Sequence, residues 1–152
     1  MKLLIDTNVI MDFLLAREPF GPAAREVVRL AEEDKTIEFV SASAVTDIFY
    51  SIERAFRKED PNGESSKREK SARTQNMIRD LCTLISILPV TPKDIDYALE
   101  LNWQDFEDAV QYAVAVSNDM DYIISRNGSD YEVQKIPVVS PSEFLQIYSE
   151  AK

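Results

Sequence analysis

Short apolar runs alternate with longer segments of helical periodicity along the sequence, and this alternation constrains the fold more than any other feature. It is the pattern of a parallel sheet covered by helices. The predicted strands are Lys2–Ile5, Ile37–Val40, Ile85–Val90, Tyr122–Ser125 and Ile136–Val139. The sequence therefore predicts an α/β protein, a three-layer α/β/α sandwich with a central parallel sheet of about five strands.

The segments between these strands carry helical periodicity or helix-start signals. The predicted helices are Val9–Ala16, Ala23–Glu33, Ser43–Lys58, Arg73–Leu84 and Asp105–Ser117, with two more starting at Thr91-Pro92 and at the capping box Ser140–Glu143. The polar stretch Glu59–Lys70 contains Pro61, Asn62 and Gly63, which indicates an exposed loop within the domain. With 152 residues, the chain has the ordinary size of one domain, and residues 1–152 are predicted to form it.

The composition excludes several kinds of chemistry. The chain has no histidine, so histidine general bases, catalytic triads and the common zinc sites are excluded. The single cysteine, Cys82, lies in an apolar-rich run and is expected to be a small buried side chain. No apolar run approaches the roughly 18 residues that span a bilayer, and Asp6 interrupts any signal-peptide pattern, so a cytoplasmic protein without membrane contact is expected. Catalysis must then come from carboxylates, hydroxyls, Lys or Arg, or from a bound metal.

The charge is polarised along the chain. A net charge of −10 argues against general nucleic-acid binding, because phosphate contacts favour a basic surface. Between Arg54 and Arg79, however, eight basic residues accompany only four acids. Arg54, Arg57 and Arg73 are therefore candidates for contact with RNA or with a protein partner, and solvation of a helical hairpin is the alternative.

Several acidic or amide side chains follow predicted strands or lie in the first turns of predicted helices. In parallel sheets, ligands bind at the carboxyl ends of the strands, where such side chains meet. The set is Asp6, Asp47, Asp105, Asp108, Asn127 and Asp130. The alternatives are a helix cap for Asp105, a solvent-margin position for Asp47 and an Asx turn at Asn127-Gly128. Asp12 and Asp119 are expected to be solvated and are given no role.

A divalent cation would account for such a cluster. Neighbouring carboxylates raise one another's pKa, so grouping them without a cation is unfavourable. Mg²⁺ and Mn²⁺ prefer oxygen ligands, and bound ions of this kind activate water for phosphodiester cleavage. The sequence therefore predicts a carboxylate-bound Mg²⁺ or Mn²⁺ site.

Two stretches of the sequence resemble a known family. The opening LLIDTNVIMDFL resembles the start of PIN domains, and DFEDAVQYAVA followed by DYIISRNGSDY resembles their C-terminal half. Order and spacing fit over nearly the whole chain. The resemblance implies a PIN-like sandwich and a Mg²⁺- or Mn²⁺-dependent ribonuclease. At this size it further implies a VapC-type toxin paired with an antitoxin, and it leaves a homodimer open.

The resemblance also implies roles for individual residues. It makes catalytic acids of Asp6, Asp47 and Asp108, metal ligands of Asp6, Asp105, Asp108 and Asp130, and supporting hydrogen-bonding residues of Asn8, Ser125 and Asn127. Two positions depart from the family pattern: Asp47 stands where Glu is usual, and Asn127 where an acid is usual. Asp130 is expected to supply the charge that Asn127 lacks.

Three functions follow from these features. The first is a metal-dependent endoribonuclease that cleaves RNA by hydrolysis, as the toxin of a toxin–antitoxin pair. The second is a catalytically weak or inactive PIN-fold module that binds RNA or protein, which the two departures favour. The third, a haloacid-dehalogenase-like phosphatase, is disfavoured because its second Asp, two positions after the first, is here Asn8.

Overall fold

The structure is a computed structural model, which describes residues 1–132 and 135–151. Within this part of the chain the strands are β1 (Lys2–Ile5), β2 (Ile37–Ser41), β3 (Ser86–Leu88), β4 (Tyr122–Ile124) and β5 (Val138–Val139). They form one five-stranded sheet in the order β3-β2-β1-β4-β5, and each neighbouring pair is parallel. The predicted parallel sheet is confirmed, and β1 lies at its centre.

Helices cover both faces of the sheet. The helices of the described residues are α1 (Thr7–Leu14), α2 (Gly21–Glu32), α3 (Ala42–Glu59), α4 (Lys67–Leu84), α5 (Pro92–Leu101), α6 (Phe106–Ser117) and α7 (Pro141–Glu150). Successive strand residues point to opposite faces. Leu3 and Ile5 accordingly join a core with α1, α2, α3, α4 and α7, whereas Leu4 joins a second core with α5 and α6. The predicted three-layer α/β/α sandwich is confirmed.

Capping side chains set the starts of several helices. Ser140 forms the predicted capping box of α7 with Glu143, and Thr91 caps α5 as predicted. Thr91 also forms a capping box with Asp94, which the sequence analysis did not predict. The prediction of a loop as far as Lys70 was wrong. Ser66 forms a further capping box with Glu69, so α4 begins at Lys67 and the connection from α3 is short.

Cys82 differs in exposure from what its apolar-rich surroundings in the sequence suggest. Cys82 was predicted to be buried but is exposed, because it lies one position past the buried Leu81 and so turns off the packed side of α4. Trp103 and Tyr112 are buried in the second core, whereas Phe106 is exposed. In the described part of the chain, no helix combines the length and apolar character that crossing a membrane requires.

Candidate active site

The central strand places Asp6 in the middle of the carboxyl edge of the sheet. Asp6 directly follows β1, and its backbone N–H donates to the carbonyl of Ile124 on β4 at 2.9 Å. β1 is apolar along Leu3, Leu4 and Ile5 because both faces of the strand are covered. Asp6 ends that run as a carboxylate only 4% exposed. One buried acid therefore lies at the carboxyl edge of the sheet, which is called the rim below.

Three side chains donate hydrogen bonds to the Asp6 carboxylate. Ser125 Oγ and Asn8 Nδ2 donate to Oδ2 at 2.6 and 2.9 Å, and Gln111 Nε2 donates to Oδ1 at 3.1 Å. Burial raises the pKa of Asp6, and the hydrogen bonds from Ser125, Gln111 and Asn8 oppose that rise. The structure therefore brings Asn8 and Ser125 into contact with Asp6, and both oxygens of this carboxylate are held in place.

The first turn of α6 carries three acids to the same rim. Asp105 is the N-cap residue, and its Oδ1 accepts a hydrogen bond from the backbone N–H of Asp108 at 3.1 Å. Burial raises the pKa of Asp108 to about 7, and the negative charges of Asp6, Asp105 and Asp130 add to the rise. Asp105 therefore occupies the capping position that the sequence left as an alternative, and its charge still acts on Asp108.

Glu107 belongs to this group of acids and links it to Asp47. The sequence prediction did not include Glu107. The pKa of Glu107 is raised to about 7, chiefly by burial. A hydrogen-bonding contact with Asp47 and the charges of Asp47, Asp105 and Asp6 also contribute to the rise. Asp47 thus reaches the α6 acids from α3, although it is itself exposed. The sequence does carry a signal for Glu107, because three acids fall within the four residues from Asp105 to Asp108. The prediction used only Asp105 and Asp108, which are three positions apart.

The segment after β4 borders the same rim. The backbone N–H of Arg126 donates to Asn8 Oδ1 at 3.2 Å, and that of Asn127 donates to Ser125 Oγ at 3.1 Å. Asn127 begins a short 3₁₀ helix, Gly128–Asp130, without a side-chain capping bond, so the Asx-turn alternative is not what the structure shows. Asp130 is exposed and lines a depression with Asp105, and its charge contributes to the raised pKa of Asp108.

Two further polar residues near the acids were missed by the sequence prediction. Gln111, 1% exposed, is the hydrogen-bond donor to Asp6 described above and lies three positions after Asp108 on α6. Tyr131 is buried, and its pKa is raised by burial and by the charges of Asp6, Asp108, Glu107 and Asp105. Gln111 could have been found as the one amide within the apolar run AVQYAVAV.

Asp12 was predicted to be solvated, and this prediction was wrong. Its side chain is fully buried on α1 and pairs with Arg126, with 2.8 Å between Asp12 Oδ2 and Arg126 Nε. Arg17 Nη1 approaches the other oxygen at 4.0 Å. The guanidinium of Arg126 also lies over the ring of Phe20, 4.2 Å from its centroid. Asp119 is exposed, as predicted.

The three candidate contact arginines have different surroundings. Arg57 lines a groove between α3 and α4 with Glu53, Lys67 and Lys70. The Arg73 guanidinium lies 3.9 Å from the centroid of the Phe56 ring. Arg54 is exposed on α3, three positions before Arg57.

The donor set fits a hydrated divalent cation. The acids of the rim offer only oxygen ligands, and the charges that raise the pKa of Asp108 and Glu107 are all carboxylates. In the described residues no three acidic side chains are arranged to ligate one ion directly. Mg²⁺ commonly keeps several waters and takes only one or two carboxylates from the protein, so water would complete its shell here.

The fold is an α/β/α sandwich, and the acids at the rim form an acidic pocket at the carboxyl edge of its sheet. The PIN domain profile matches residues 2–129, and the chain belongs to this family. Ribonuclease VapC1 of Aquifex aeolicus (strain VF5) is 23% identical over 150 residues, which cover 95% of this chain and 94% of that protein.

Solved structures share the fold. VapBC2 from Rickettsia felis, bound to a DNA fragment from its promoter, matches with a TM-score of 0.65 and 12% identity, over 91% of this chain and 97% of that one. VapC20 from Mycobacterium tuberculosis, a Sarcin-Ricin loop cleaving toxin, matches with a TM-score of 0.61 and 15% identity, over 89% of this chain and 98% of that one. At these identities the likeness concerns the fold alone.

Proposed function

We propose that this protein is a Mg²⁺- or Mn²⁺-dependent endoribonuclease that hydrolyses RNA phosphodiester bonds. One observation carries the proposal: Asp6, Glu107 and Asp108 meet at the sheet rim, and the charges that raise the pKa of Glu107 and Asp108 are further carboxylates. Such a group is unfavourable unless a cation binds it. Membership of the PIN domain family and similarity to a protein named as a ribonuclease support the same reaction.

Asp6 and Asp108 are the residues that would hold the ion, with Asp47, Asp105 and Asp130 reaching it through water. When bound, the ion supplies a Lewis acid for the phosphoryl group and lowers the pKa of a water molecule. Asn8, Ser125 and Gln111 keep the Asp6 carboxylate oriented toward the pocket. A Glu107 carboxylate oxygen, beside Asp47 at the edge of the pocket, accepts the proton of the attacking water.

The biological role proposed is that of a cytoplasmic toxin held inactive by an antitoxin protein. Several of the similar structures are named as toxin–antitoxin or VapBC assemblies. Expression of the protein should arrest growth, and co-expression of its antitoxin should relieve the arrest. An Asp108→Asn variant should be harmless when expressed alone.

Cleavage of RNA by the purified protein tests the reaction. Single-stranded RNA should be cut in Mg²⁺ or Mn²⁺ and left intact in chelator. Because water attacks instead of the RNA 2′-hydroxyl, the products should carry no 2′,3′-cyclic phosphate. Asp108→Asn should abolish cleavage, whereas Asp119→Asn, the same charge change at an exposed position, should cleave normally. Metal-independent cleavage would disprove the proposal.

A second candidate is a PIN-fold module that binds RNA without cutting it. Asn127 favours this alternative because it brings no charge to a position where the family usually has an acid. Metal-dependent RNA binding without cleavage at any RNA concentration, in both Mg²⁺ and Mn²⁺, would establish it.

A further inference from the structure

One face of α3 is committed to the core and another is left to solvent. The buried residues of this helix recur every four positions at Ala44, Ile48, Ile52 and Phe56. With about 3.6 residues per turn, that spacing produces one continuous buried side. The exposed residues outside that side are therefore available for contact with other molecules.

Asp47 marks the end of an exposed face that lies next to the acidic pocket. Its carboxyl contacts Glu107 on α6, which brings this side of α3 to the candidate active site. Residues three, seven and eleven positions later return to the same side of a helix. These are Tyr50, Arg54 and Lys58, and all three are exposed. With a rise of about 1.5 Å per residue, Arg54 and Lys58 lie roughly 10 and 16 Å along the helix from Asp47.

The other basic residues on and beside α3 have different surroundings. Arg57 and Glu53, which precedes it by one helical turn, line a groove between α3 and α4 with Lys67 and Lys70. Tyr50, nearer the start of α3, borders a second groove against α4 with Gln75 and Arg79. Arg73 is stacked on Phe56. In the described structure neither Arg54 nor Lys58 has a carboxylate within ion-pairing distance. Arg54 and Lys58 are thus exposed cations on the side of α3 that carries Asp47.

We propose that Tyr50, Arg54 and Lys58, here termed the α3 strip, bind the single-stranded RNA that leads into the acidic pocket. This inference rests on the proposed ribonuclease function and names the surface that holds its substrate. Sites for single-stranded nucleic acid combine basic residues along the phosphate backbone with an aromatic ring on which a base stacks. Arg54 and Lys58 provide the first feature, and the ring of Tyr50, 59% exposed, provides the second.

Charge explains why such a strip is required. The protein carries a net charge of −10, and the carboxylates of the pocket repel phosphate on either side of the scissile bond. A cation in the pocket would offset that repulsion locally but not several nucleotides away. The α3 strip begins one helical turn from Asp47, so it would hold those neighbouring nucleotides.

Binding to a short unstructured RNA, measured by fluorescence anisotropy from low to moderate salt, tests the strip. The measurements use Mg²⁺ and an Asp108→Asn background throughout, so that cleavage does not interfere. Arg54→Ala combined with Lys58→Ala should weaken binding about tenfold at low salt. It should also lower the salt slope by about 1.4, because each phosphate contact on a single strand contributes about 0.7. Tyr50→Ala should weaken binding at least fivefold without changing the slope, and Tyr50→Phe should restore it.

A matched control removes the same charge from the groove between α3 and α4. Arg57→Ala combined with Lys67→Ala should leave RNA binding within about twofold and the salt slope nearly unchanged. If both double substitutions weakened RNA binding equally, the proposal would be wrong, and general charge attraction would explain the binding. Unchanged binding in the Arg54 and Lys58 variant would overturn it in favour of a protein partner. The substituted residues of the strip and of the control are exposed, and melting curves would establish that the variants are folded.

Cleavage by the protein with Asp108 intact separates this inference from the proposed function. If that protein cleaves RNA and strip variants bind with unchanged affinity and slope, the strip is wrong and the ribonuclease function stands. If it does not cleave, yet strip variants lose binding and slope, the ribonuclease function is wrong and the strip stands.

Discussion

The carboxylate of Asp12 is fully buried beneath the guanidinium of Arg126, with 2.8 Å between Asp12 Oδ2 and Arg126 Nε. This ion pair joins α1 to the segment after β4. The backbone N–H of Arg126 donates to Asn8, which in turn donates to Asp6. A contact outside the acidic pocket therefore helps to position the residues that surround Asp6.

Removing the arginine of this pair should destabilise the protein. Arg126→Ala leaves Asp12 buried with only Arg17 nearby, at 4.0 Å. A buried charge that loses its partner costs about 3 kcal/mol, which should appear in urea unfolding at neutral pH. Asp12→Asn in the same chain should recover part of this loss, because it removes the stranded charge. A loss below about 0.5 kcal/mol in Arg126→Ala would show that the pair is not important for stability.

Asp108→Asn and Asp6→Asn should have opposite effects on stability in chelator. Neutralising Asp108 removes the cost of burying its charge and the repulsion from Asp6, Asp105 and Asp130, so the unfolding free energy of the variant at pH 8 should rise. With its pKa at about 7, and allowing for solvent screening, the gain should be about 1–2 kcal/mol. Burial raises the pKa of Asp6 as well, but Asp6→Asn should lose about 1–2 kcal/mol, because its amide N–H₂ is a donor and cannot accept the hydrogen bonds that Ser125, Asn8 and Gln111 give to the two carboxylate oxygens.

The predicted gain in stability from Asp108→Asn can be tested by its dependence on pH. Its pKa in the folded state is raised above the ordinary value of 3.8, so the native carboxylate destabilises the fold above that pH, most strongly beyond about 7. The gain from Asp108→Asn should therefore shrink as the pH falls from 8 toward 4. A gain that is independent of pH would contradict the charge-repulsion explanation.

Glu38 should make stability depend on pH at a site remote from the acidic pocket. This residue on β2 is 2% exposed, and its Oε1 accepts a hydrogen bond from Thr36 Oγ1 at 3.3 Å. Burial raises the pKa of Glu38 from 4.5 to about 8. Because the folded-state pKa is the higher one, the protein should lose stability as the pH rises from about 4.5 through about 8.

Glu38→Gln should remove that loss, since the amide stays neutral and its oxygen can still accept from Thr36. At pH 9 the variant should be more stable than the parent by roughly 2–4 kcal/mol, and at pH 4 the two should be nearly equal. Urea unfolding at several pH values measures the difference. Glu100→Gln, at an exposed position on α5, is the control and should leave the pH profile unchanged. Parallel profiles for the parent and Glu38→Gln would contradict the prediction.

Cys82 should react with a thiol reagent in the folded protein. It is exposed on α4, beside a groove that includes Val45, Phe49 and Ile78. One equivalent of an aromatic disulfide should label the native protein as fast as a small model thiol, to within about tenfold. Labelling that requires denaturant would show that Cys82 is buried, as its sequence context suggested.

The architecture was predictable from the sequence because its signals are local. β1 was predicted with its observed bounds, and the starts of α5 and α7 followed from Thr91-Pro92 and the capping box at Ser140. The start of α4 was predicted six residues too late, although Ser66 and Glu69 carry an equally local capping signal. Apolar periodicity and capping act within about four residues, so the order of the chain is enough to read them.

The neighbours of each acid were decided by the tertiary structure. The sequence by itself determined that carboxylates follow β1 and begin α6, and hence where on the sheet an acidic site would form. It did not show that Gln111 would donate to Asp6, that Glu107 would meet Asp47, or that Asp12 would be buried against Arg126. These partners are far apart in sequence, and whether a polar side chain is solvated, paired or repelled depends on what the folded chain packs against it.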